Sequence, residues 1–435
     1  MLHHMLDGST AAPARTRPFF GPWVVRAAFV LAMFGWGLGF YGPPVYLHAV
    51  IERTGWSLAW VSGAVTVHYL FGALVVARLP RLHARWGIGR VAVAGAAVTA
   101  LGVLGWAICT SPWQLMAAAL LSGGGWVTMG AVAINAVIAP WFERTRPAAL
   151  AKAYNGASIG GVVFSPLWVA LIGALGFAGA ALSVGIVTLS VVAVLAAAVF
   201  AVTPAQLQQR PDGDAAATPA PAMPRAATPP LPGALLWRDR GFRTLAVGMA
   251  IGLFAQIGLL AHLFALLVPV VGTQSAGWLM GFATASAILG RYVVAWTMPP
   301  HADRRTVAAA CYGVQATATL LLLAADGTNT ALIAGAVALF GSGIGNATSL
   351  PPLIAQAEFA AADVQRVVAL IVALAQATYA FAPALFGALL VATGGIAPRI
   401  GQGATGLLVV VLVVQGLSIG SFLLGRRRDE GATAP

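Results

Sequence analysis

Twelve stretches of mostly apolar residues, each about 20 residues or longer, run through this chain, and they constrain its fold more than any other feature. They fall at residues 23–48, 59–79, 89–109, 113–140, 149–172, 177–201, 242–270, 276–298, 304–325, 329–357, 365–391 and 402–424. About 20 apolar residues is the length a helix needs to cross a bilayer core. In hydrocarbon the backbone must satisfy its own hydrogen bonds, so such runs are read as helices, and Gly or Pro inside them is tolerated. Only 8% of the 435 residues are charged, against about 25% in an average soluble domain. The expected fold is therefore an all-α integral membrane protein with twelve transmembrane helices.

The polar stretch 203–241 divides six runs from six. Eight prolines lie between Pro204 and Pro232, among Ala, Thr and Gln. Such a composition buries too little apolar surface to offset the entropy of ordering, so it reads as a solvated, partly extended linker. The expected organisation is a tail (1–22), a six-helix bundle (23–202), the linker (203–241), a second six-helix bundle (242–424) and a tail (425–435). The halves look like parallel repeats. Gly72 and Gly290 are 218 residues apart, as are Gly123-Gly124-Gly125 and Gly341-Ser342-Gly343, while Ser165-Pro166 and Ala382-Pro383 are 217 apart. Paired halves of this kind place a binding site between them near the midplane.

The net charge of +12 raises nucleic acid as a partner, but the basic residues sit in short loops between apolar runs, with no basic stripe and interleaved aromatics, so none is expected. Their placement sets topology instead. Of the 24 basic residues, 21 lie on one side, from Arg15, Arg17 and Arg26 through Arg78, Arg81, Arg85 and Arg90 to Arg426, Arg427 and Arg428; the linker adds Arg225 among others. Arg53 and Arg399 lie on the other side, and Arg291 lies within a span. The positive-inside rule then puts both termini and the linker in the cytoplasm of a multi-pass inner-membrane protein. The first twenty residues lack an apolar core with a cleavage site, so no removable signal is expected. Cys109 and Cys311 fall on opposite sides in this topology, so no disulfide is expected, and no metal or cofactor motif is present.

Three stretches carry a family resemblance. They are Gly55-Trp56-Ser57, Trp141-Phe142-Glu143-Arg144-Thr145-Arg146, and Asn155-Gly156-Ala157-Ser158-Ile159-Gly160-Gly161 followed by Pro166. They resemble the GWS, WF-x-x-R-R and A-x-G-x-S-x-G patterns of the bacterial branch of the monocarboxylate porter family, within the major facilitator superfamily. The resemblance implies the major facilitator fold, two pseudo-symmetric bundles rocking about a central site, and a small organic anion as substrate. Two departures matter. The loop after span 2 reads Ala84-Arg85-Trp86-Gly87-Ile88-Gly89-Arg90, with Ala84 where the superfamily's D-R-x-G-x-R has its Asp; the second-half counterpart, Asp303-Arg304-Arg305, keeps its acid. Arg85, Arg90, Asp303 and Arg304 are the implied gating residues. Arg291 matches the Arg of the family's Asp-x-x-x-Arg pair, but Ala287 stands at the Asp, and span 1 has no Lys. The family's proton mechanism therefore does not simply transfer.

Arg291 is the strongest single signal. An Arg at a helix centre costs about 2.5–3.5 kcal/mol on the insertion scale. It lies eight residues before Pro299, about 12 Å from the end of its helix. It reads two ways: as a cavity cation that holds a carboxylate through its planar fork, or as a structural Arg on carbonyls. No Asp or Glu lies in the middle of a span; Glu52, Glu143, Asp326, Glu358 and Asp363 are all near ends. His68 and His262 are then the mid-span candidates for carrying a proton, each also readable as a packing residue. Tyr41, Asn135, Asn155, Gln256, Asn346, Gln376 and Tyr379 are candidate cavity positions, since polar groups in lipid turn inward. Gly156 and Gly160, like Gly341, Gly343 and Gly345, read as close helix packing. Pro43-Pro44, Pro269 and Pro383 read as kinks.

Together these features point to a secondary transporter working by alternating access, not an enzyme, with a small organic anion and the lipid bilayer as partners. A monomer is the expected state. Proton coupling stays open. The alternative is the same fold exporting a neutral or amphipathic compound, with Arg291 structural. A membrane enzyme or sensor lacks support, because neither an activated nucleophile nor a signalling domain is evident.

Overall fold

The computed structural model describes residues 18–213, 233–299, 302–325, 329–394 and 404–426. Arg15, Arg17, Arg225, Asp326, Arg399, Arg427 and Arg428 lie outside the described residues, as do most of both tails. The described chain is helical throughout, with eleven helical stretches long and apolar enough to cross a membrane. One of them, Arg146–Phe200, is 55 residues long and turns at Gly176, at φ 70°. It therefore holds spans 5 and 6, and the twelve expected crossings are present.

In chain order, the first bundle comprises α1 (Gly21–Gly39), α2 (Pro43–Thr54), α3 (Leu58–Val76), α4 (Leu79–Trp86), α5 (Ile88–Ile108), α6 (Pro112–Trp126), α7 (Ala131–Ile138) and α8 (Arg146–Leu195). A short helix, α9 (Gly233–Arg238), leads into the second bundle. That bundle comprises α10 (Arg240–Val271), α11 (Thr273–Thr297), α12 (Arg304–Ala324), α13 (Thr330–Glu358), α14 (Ala361–Tyr379), α15 (Ala382–Ala392) and α16 (Thr405–Leu424). The first span is α1 plus α2, the fourth α6 plus α7, and the eleventh α14 plus α15.

The break between α1 and α2 follows from two residues. Pro43 and Pro44 have no N–H, so the carbonyls of Gly39 and Phe40 lose their donors one turn on. Ring side chains from neighbouring helices replace them. His68 Nε2 lies 2.9 Å from the Gly39 oxygen, and the Tyr69 hydroxyl donates to the Phe40 oxygen at 3.5 Å. Just before the break, Tyr46 donates to Leu38 O and Trp168 Nε1 to Gly37 O, each at 3.2 Å. The kink is thereby fixed by four hydrogen bonds rather than left loose.

The repeat is visible in the packing. A Cβ on Gly72 of α3 would meet the Gly123 oxygen of α6 at 2.9 Å. A Cβ on Gly290 of α11 would meet the Ser342 oxygen of α13 at 2.0 Å. Corresponding glycines thus let corresponding helices approach in the two halves. Gly156 serves α1 and α8 in the same way, its Cβ direction ending 2.0 Å from the Phe29 oxygen.

Contacts between the bundles, among the described residues, concentrate on the half of the molecule away from the linker. There α15 packs on α3, α10 on α2, and α11 on α8. His48 of α2 stacks edge-on with Phe264 of α10 at 5.3 Å. The N–H of Ala384, in the first turn of α15, donates to the Thr66 hydroxyl of α3 at 3.1 Å. The first N–H groups of a helix lack partners within it, so one bundle caps a helix of the other. Toward the linker side the anchoring contacts Arg305–Glu358, Arg304–Leu353 and Asp212–Thr145 each stay with one bundle. The space between the bundles opens toward the linker face.

The linker's first eleven residues depart from an extended, solvated segment. They turn back onto the linker end of the first bundle. Gln209 accepts from the Phe20 N–H at 2.9 Å and donates to the Pro18 oxygen at 3.0 Å. Asp212, in the left-handed conformation at φ 61° that Asp tolerates, accepts from the N–H groups of Glu143, Arg144 and Thr145 at 3.1, 2.8 and 3.2 Å, and from the Thr145 hydroxyl. These donors precede α8, so Asp212 caps span 5 from a distant part of the sequence. Its acidic group is held down, from 3.8 to about 2, by the Thr145 hydroxyl first and then by those three N–H groups, against a smaller opposing effect of burial. Linker residues 214–232 lie outside the described residues.

A second anchor ties the linker end of the other bundle. Arg305, 1% exposed, makes a paired contact with Glu358 at 2.7 and 2.8 Å. It also donates to Thr244 Oγ1 at 3.0 Å and Gly241 O at 2.8 Å. The buried charge is compensated by a carboxylate and two further acceptors, joining α10, α12 and α13.

Candidate functional site

The site lies on the seam where α11 of the second bundle packs on α8 of the first. Arg291 comes off α11 and crosses Gly345 of α13, where a Cβ would lie 2.7 Å from its Cγ and 2.8 Å from its Nε. Its guanidinium donates across the seam to the Ser158 hydroxyl of α8. The glycine is required by the passage of this side chain. Tyr41, at the break of the first span, places its phenol beside Thr284 of α11 and near the guanidinium, both against Gly161 of α8. The ion pairs seen among the described residues, His48–Glu52, Arg305–Glu358 and Arg426–Asp303, lie elsewhere. Arg291 therefore has a neutral hydroxyl partner, and its other N–H donors face a site without an acidic side chain.

Aromatic rings extend from this point. Tyr41 meets Phe40 at 5.0 Å, and Phe40 meets Tyr69 at 6.3 Å. Tyr69 meets Tyr379 of the second bundle at 6.1 Å and Trp126 at 6.5 Å. Trp126 meets Trp36 at 6.1 Å, and Trp36 meets Tyr154 at 6.3 Å. Tyr154 in turn accepts from Asn135 Nδ2 at 2.5 Å. Tyr41, Tyr379 and Asn135 thus join Arg291 in one continuous lining. Thr284, Tyr69, Tyr154, Trp36 and Trp126 belong to it too, although nothing in their sequence context marks them singly; so does Ser158, the Ser of the A-x-G-x-S-x-G stretch.

Other candidates fall elsewhere. Gln256 turns into the second bundle, where its Oε1 accepts from Gln315 Nε2 at 3.2 Å. Asn346 donates to the Gly290 oxygen at 3.2 Å, tying α13 to α11 immediately beside Arg291; it positions the arginine's helix rather than lining the space. Asn155 and Gln376 are half-buried, one turn from Ser158 and Tyr379 respectively. His68 is enclosed. With Nε2 given to Gly39, its Nδ1 faces Ser122 Oγ at 2.9 Å, and its ring stacks on Trp126 at 5.9 Å. His262 Nε2 lies 2.9 Å from the Pro383 oxygen at the α15 break, and its Nδ1 has no partner among the described residues. His262 thus holds, from within the second bundle, the start of α15 that Thr66 of the first bundle caps.

The gating candidates are placed differently in the two halves. Arg85 stacks on Trp86 at 5.5 Å, and Arg90 is exposed. Asp303 caps α12 through the Arg305 N–H at 2.9 Å and pairs with Arg426. Hydrogen bonds from Thr306 and Arg426 hold the Asp303 carboxyl below its usual value, against burial, which is the largest single influence. Arg304 donates to the Leu353 oxygen at 2.8 Å.

Known proteins share both the sequence pattern and this architecture. Residues 27–383 match the family model described as Major Facilitator Superfamily. Monocarboxylate transporter 11 of Mus musculus is 30% identical over 239 residues, which are 53% of this chain and 48% of that protein. Aspyridones efflux protein apdF of Emericella nidulans is 30% identical over 154 residues, 35% of this chain and 31% of that one. The chain thus spans about half the length of the first of these relatives and about a third of the second. Among solved structures, the nucleoside transporter NupG superposes with a TM-score of 0.68 at 12% identity, covering 93% of this chain and all of that one. A bacterial homologue of the human lysosomal transporter Spinster, inward-facing and unoccupied, superposes with a TM-score of 0.68 at 13% identity, covering 94% and 98%. At that identity these structures speak to the fold alone, and the fold is the one the twelve helices build here. The chain is a multi-pass membrane protein and belongs to the Major Facilitator Superfamily.

Proposed function

We propose that this transporter moves a small organic anion, a monocarboxylate, by rocking its two bundles about the Arg291 site. The observation that carries this reading is Arg291 itself: a cation at the seam, inside a helix that ends at Thr297, bonded to a neutral hydroxyl and without an acidic partner among the described residues. A carboxylate fits a guanidinium through two parallel charge-assisted hydrogen bonds. The likeness to a monocarboxylate transporter supports the same substrate class. The excess of basic residues on the linker side supports a cytoplasmic linker and cytoplasmic termini in the inner membrane. The open space then faces the cytoplasm.

In the opposite state the seal at Thr66, His262 and α15 parts, while the helix ends on the linker side close. The substrate bridges the bundles at the midplane in both states. If a proton accompanies it, His262 is better placed than His68, because its Nδ1 has no partner among the described residues and parting at α15 would expose it; the substrate's own carboxyl is the other route.

A second reading has its own support. The chain also resembles an efflux protein, and Arg291 already has a partner in Ser158. On that reading Arg291 staples the seam and the cargo is neutral or amphipathic. Uptake into proteoliposomes loaded with purified protein separates the two. The carboxylate reading expects uptake of a labelled monocarboxylate that Arg291→Gln reduces at least about tenfold. Arg291-independent movement of neutral compounds, with no carboxylate uptake, supports the second reading instead.

A further inference from the structure

We infer that the acid this site takes carries a flat aromatic ring. The second bundle's guanidinium would hold its carboxylate, and the first bundle's rings would hold its body. This rests on the carboxylate reading above and narrows it.

The division of labour between the bundles is the starting point. Arg291 comes from α11 of the second bundle. Of the linked rings, Trp36, Phe40, Tyr41, Tyr69, Trp126 and Tyr154 come from the first bundle, and only Tyr379 comes from the second. Trp and Tyr in a membrane protein ordinarily gather at the two interfaces. These rings run from the break of the first span, where Tyr41 lies near the arginine, to Tyr154, one turn from Ser158, so the interfacial role does not explain them.

Their geometry is also specific. The Trp36–Trp126, Trp36–Tyr154, Tyr69–Trp126 and Tyr69–Tyr379 pairs meet at 86°, 82°, 74° and 83°. Aromatic rings attract edge to face, through the negative face of one and the positive edge of the other. A lining of mutually perpendicular rings therefore offers both faces and edges to a ring placed among them. Trp36, Phe40, Tyr154 and Tyr379 are only half-buried, which leaves ring surface for such a contact. A short aliphatic acid would satisfy Arg291 and leave this lining wet. A saturated ring would fill the same space but could not match the alternation of edge and face.

Equilibrium binding to the purified full chain tests the inference. Three acids of the same charge are compared by calorimetry: benzoate, cyclohexanecarboxylate of similar size, and acetate. Benzyl alcohol is the neutral control. Benzoate is expected to bind at least about tenfold more tightly than either other acid, or about 1.4 kcal/mol. In Trp36→Leu the ratio of benzoate to cyclohexanecarboxylate affinity is expected to fall toward one. If that variant does not fold, Tyr379→Leu serves in its place, and the wild-type ratio decides by itself. Equal affinities for the three acids, or a ratio unchanged in both variants, overturn the aromatic inference and leave the carboxylate reading standing. Benzyl alcohol binding as tightly as benzoate, or benzoate binding unaffected by Arg291→Gln, overturns the carboxylate reading. Binding of none of the acids overturns both.

Discussion

The guanidinium of Arg291 is hydrogen-bonded to the hydroxyl of Ser158 across the seam between the two bundles. One residue belongs to span 8 and the other to span 5, so the bond ties the two bundles together. A carboxylate arriving from the open side would meet the arginine where the arginine's only hydrogen bond among the described residues is to a neutral group. On the carboxylate reading, substrate binding and the seam are linked through this one side chain.

The cap that Thr66 lends to α15 should stabilise this state specifically, because the bond crosses the bundles. Removing a helix cap costs about 0.5–2 kcal/mol. Thr66→Val is expected to shift the population toward the oppositely open state by several-fold. Ser62 of α3 is buried against Gly387 of α15, and labelling of a cysteine introduced there by a membrane-impermeant thiol reagent, added from the far side, reads the shift. Unchanged labelling would mean that the cap contributes nothing to the balance.

His68 is expected to act as a structural residue. Its Nε2 replaces the donor that Pro43 denies to the Gly39 carbonyl. Leaving a buried carbonyl unpaired costs about 1–3 kcal/mol. His68→Leu should lower the apparent melting temperature while leaving the pH dependence of transport in the surviving protein unchanged. A pH profile displaced in that variant, with stability intact, would make His68 a proton carrier instead.

Asp212 should make the clasp over span 5 sensitive to acid. Its carboxyl is held at about 2 in the folded protein against 3.8 ordinarily. A depressed carboxyl contributes stability that is fully present above the unfolded value, near pH 4, and is lost as pH falls toward the folded value, near pH 2. Wild type should therefore be more stable than Asp212→Ala at pH 6, with the difference shrinking between pH 4 and pH 2. Thermal unfolding across that range measures it. A difference that stays constant with pH would remove the carboxylate from the clasp.

Much of this fold was legible in the residues, for physical reasons that differ from part to part. Spans are a matter of length and composition, so all twelve could be read, and Pro43-Pro44 foretold the break in the first. Arg291 stood out because an isolated charge in a span is costly. Which way a neutral polar residue points is another matter. Gln256 and Asn346 both sit in apolar runs, and only the helices around them decide that one faces Gln315 and the other Gly290. Ser158 hid inside a run of small residues whose packing role is genuine. The aromatic lining is spread over several spans far apart in sequence, and no local pattern could assemble it. The clasp was missed because composition averaged the ordered residues 203–213 with the proline-rich remainder.

The central claim is that Arg291 anchors a carboxylate. Ligand-induced thermal stabilisation of the purified protein tests it most directly, since a ligand that binds only the folded state must raise apparent stability. Monocarboxylates, with neutral analogues beside them, are added to wild type and to Arg291→Ala. The account predicts that at least one carboxylate stabilises wild type in a concentration-dependent way, and that the folded variant no longer responds. Equal stabilisation of both proteins, or stabilisation by the neutral analogues alone, would contradict it and leave Arg291 as a staple of the seam.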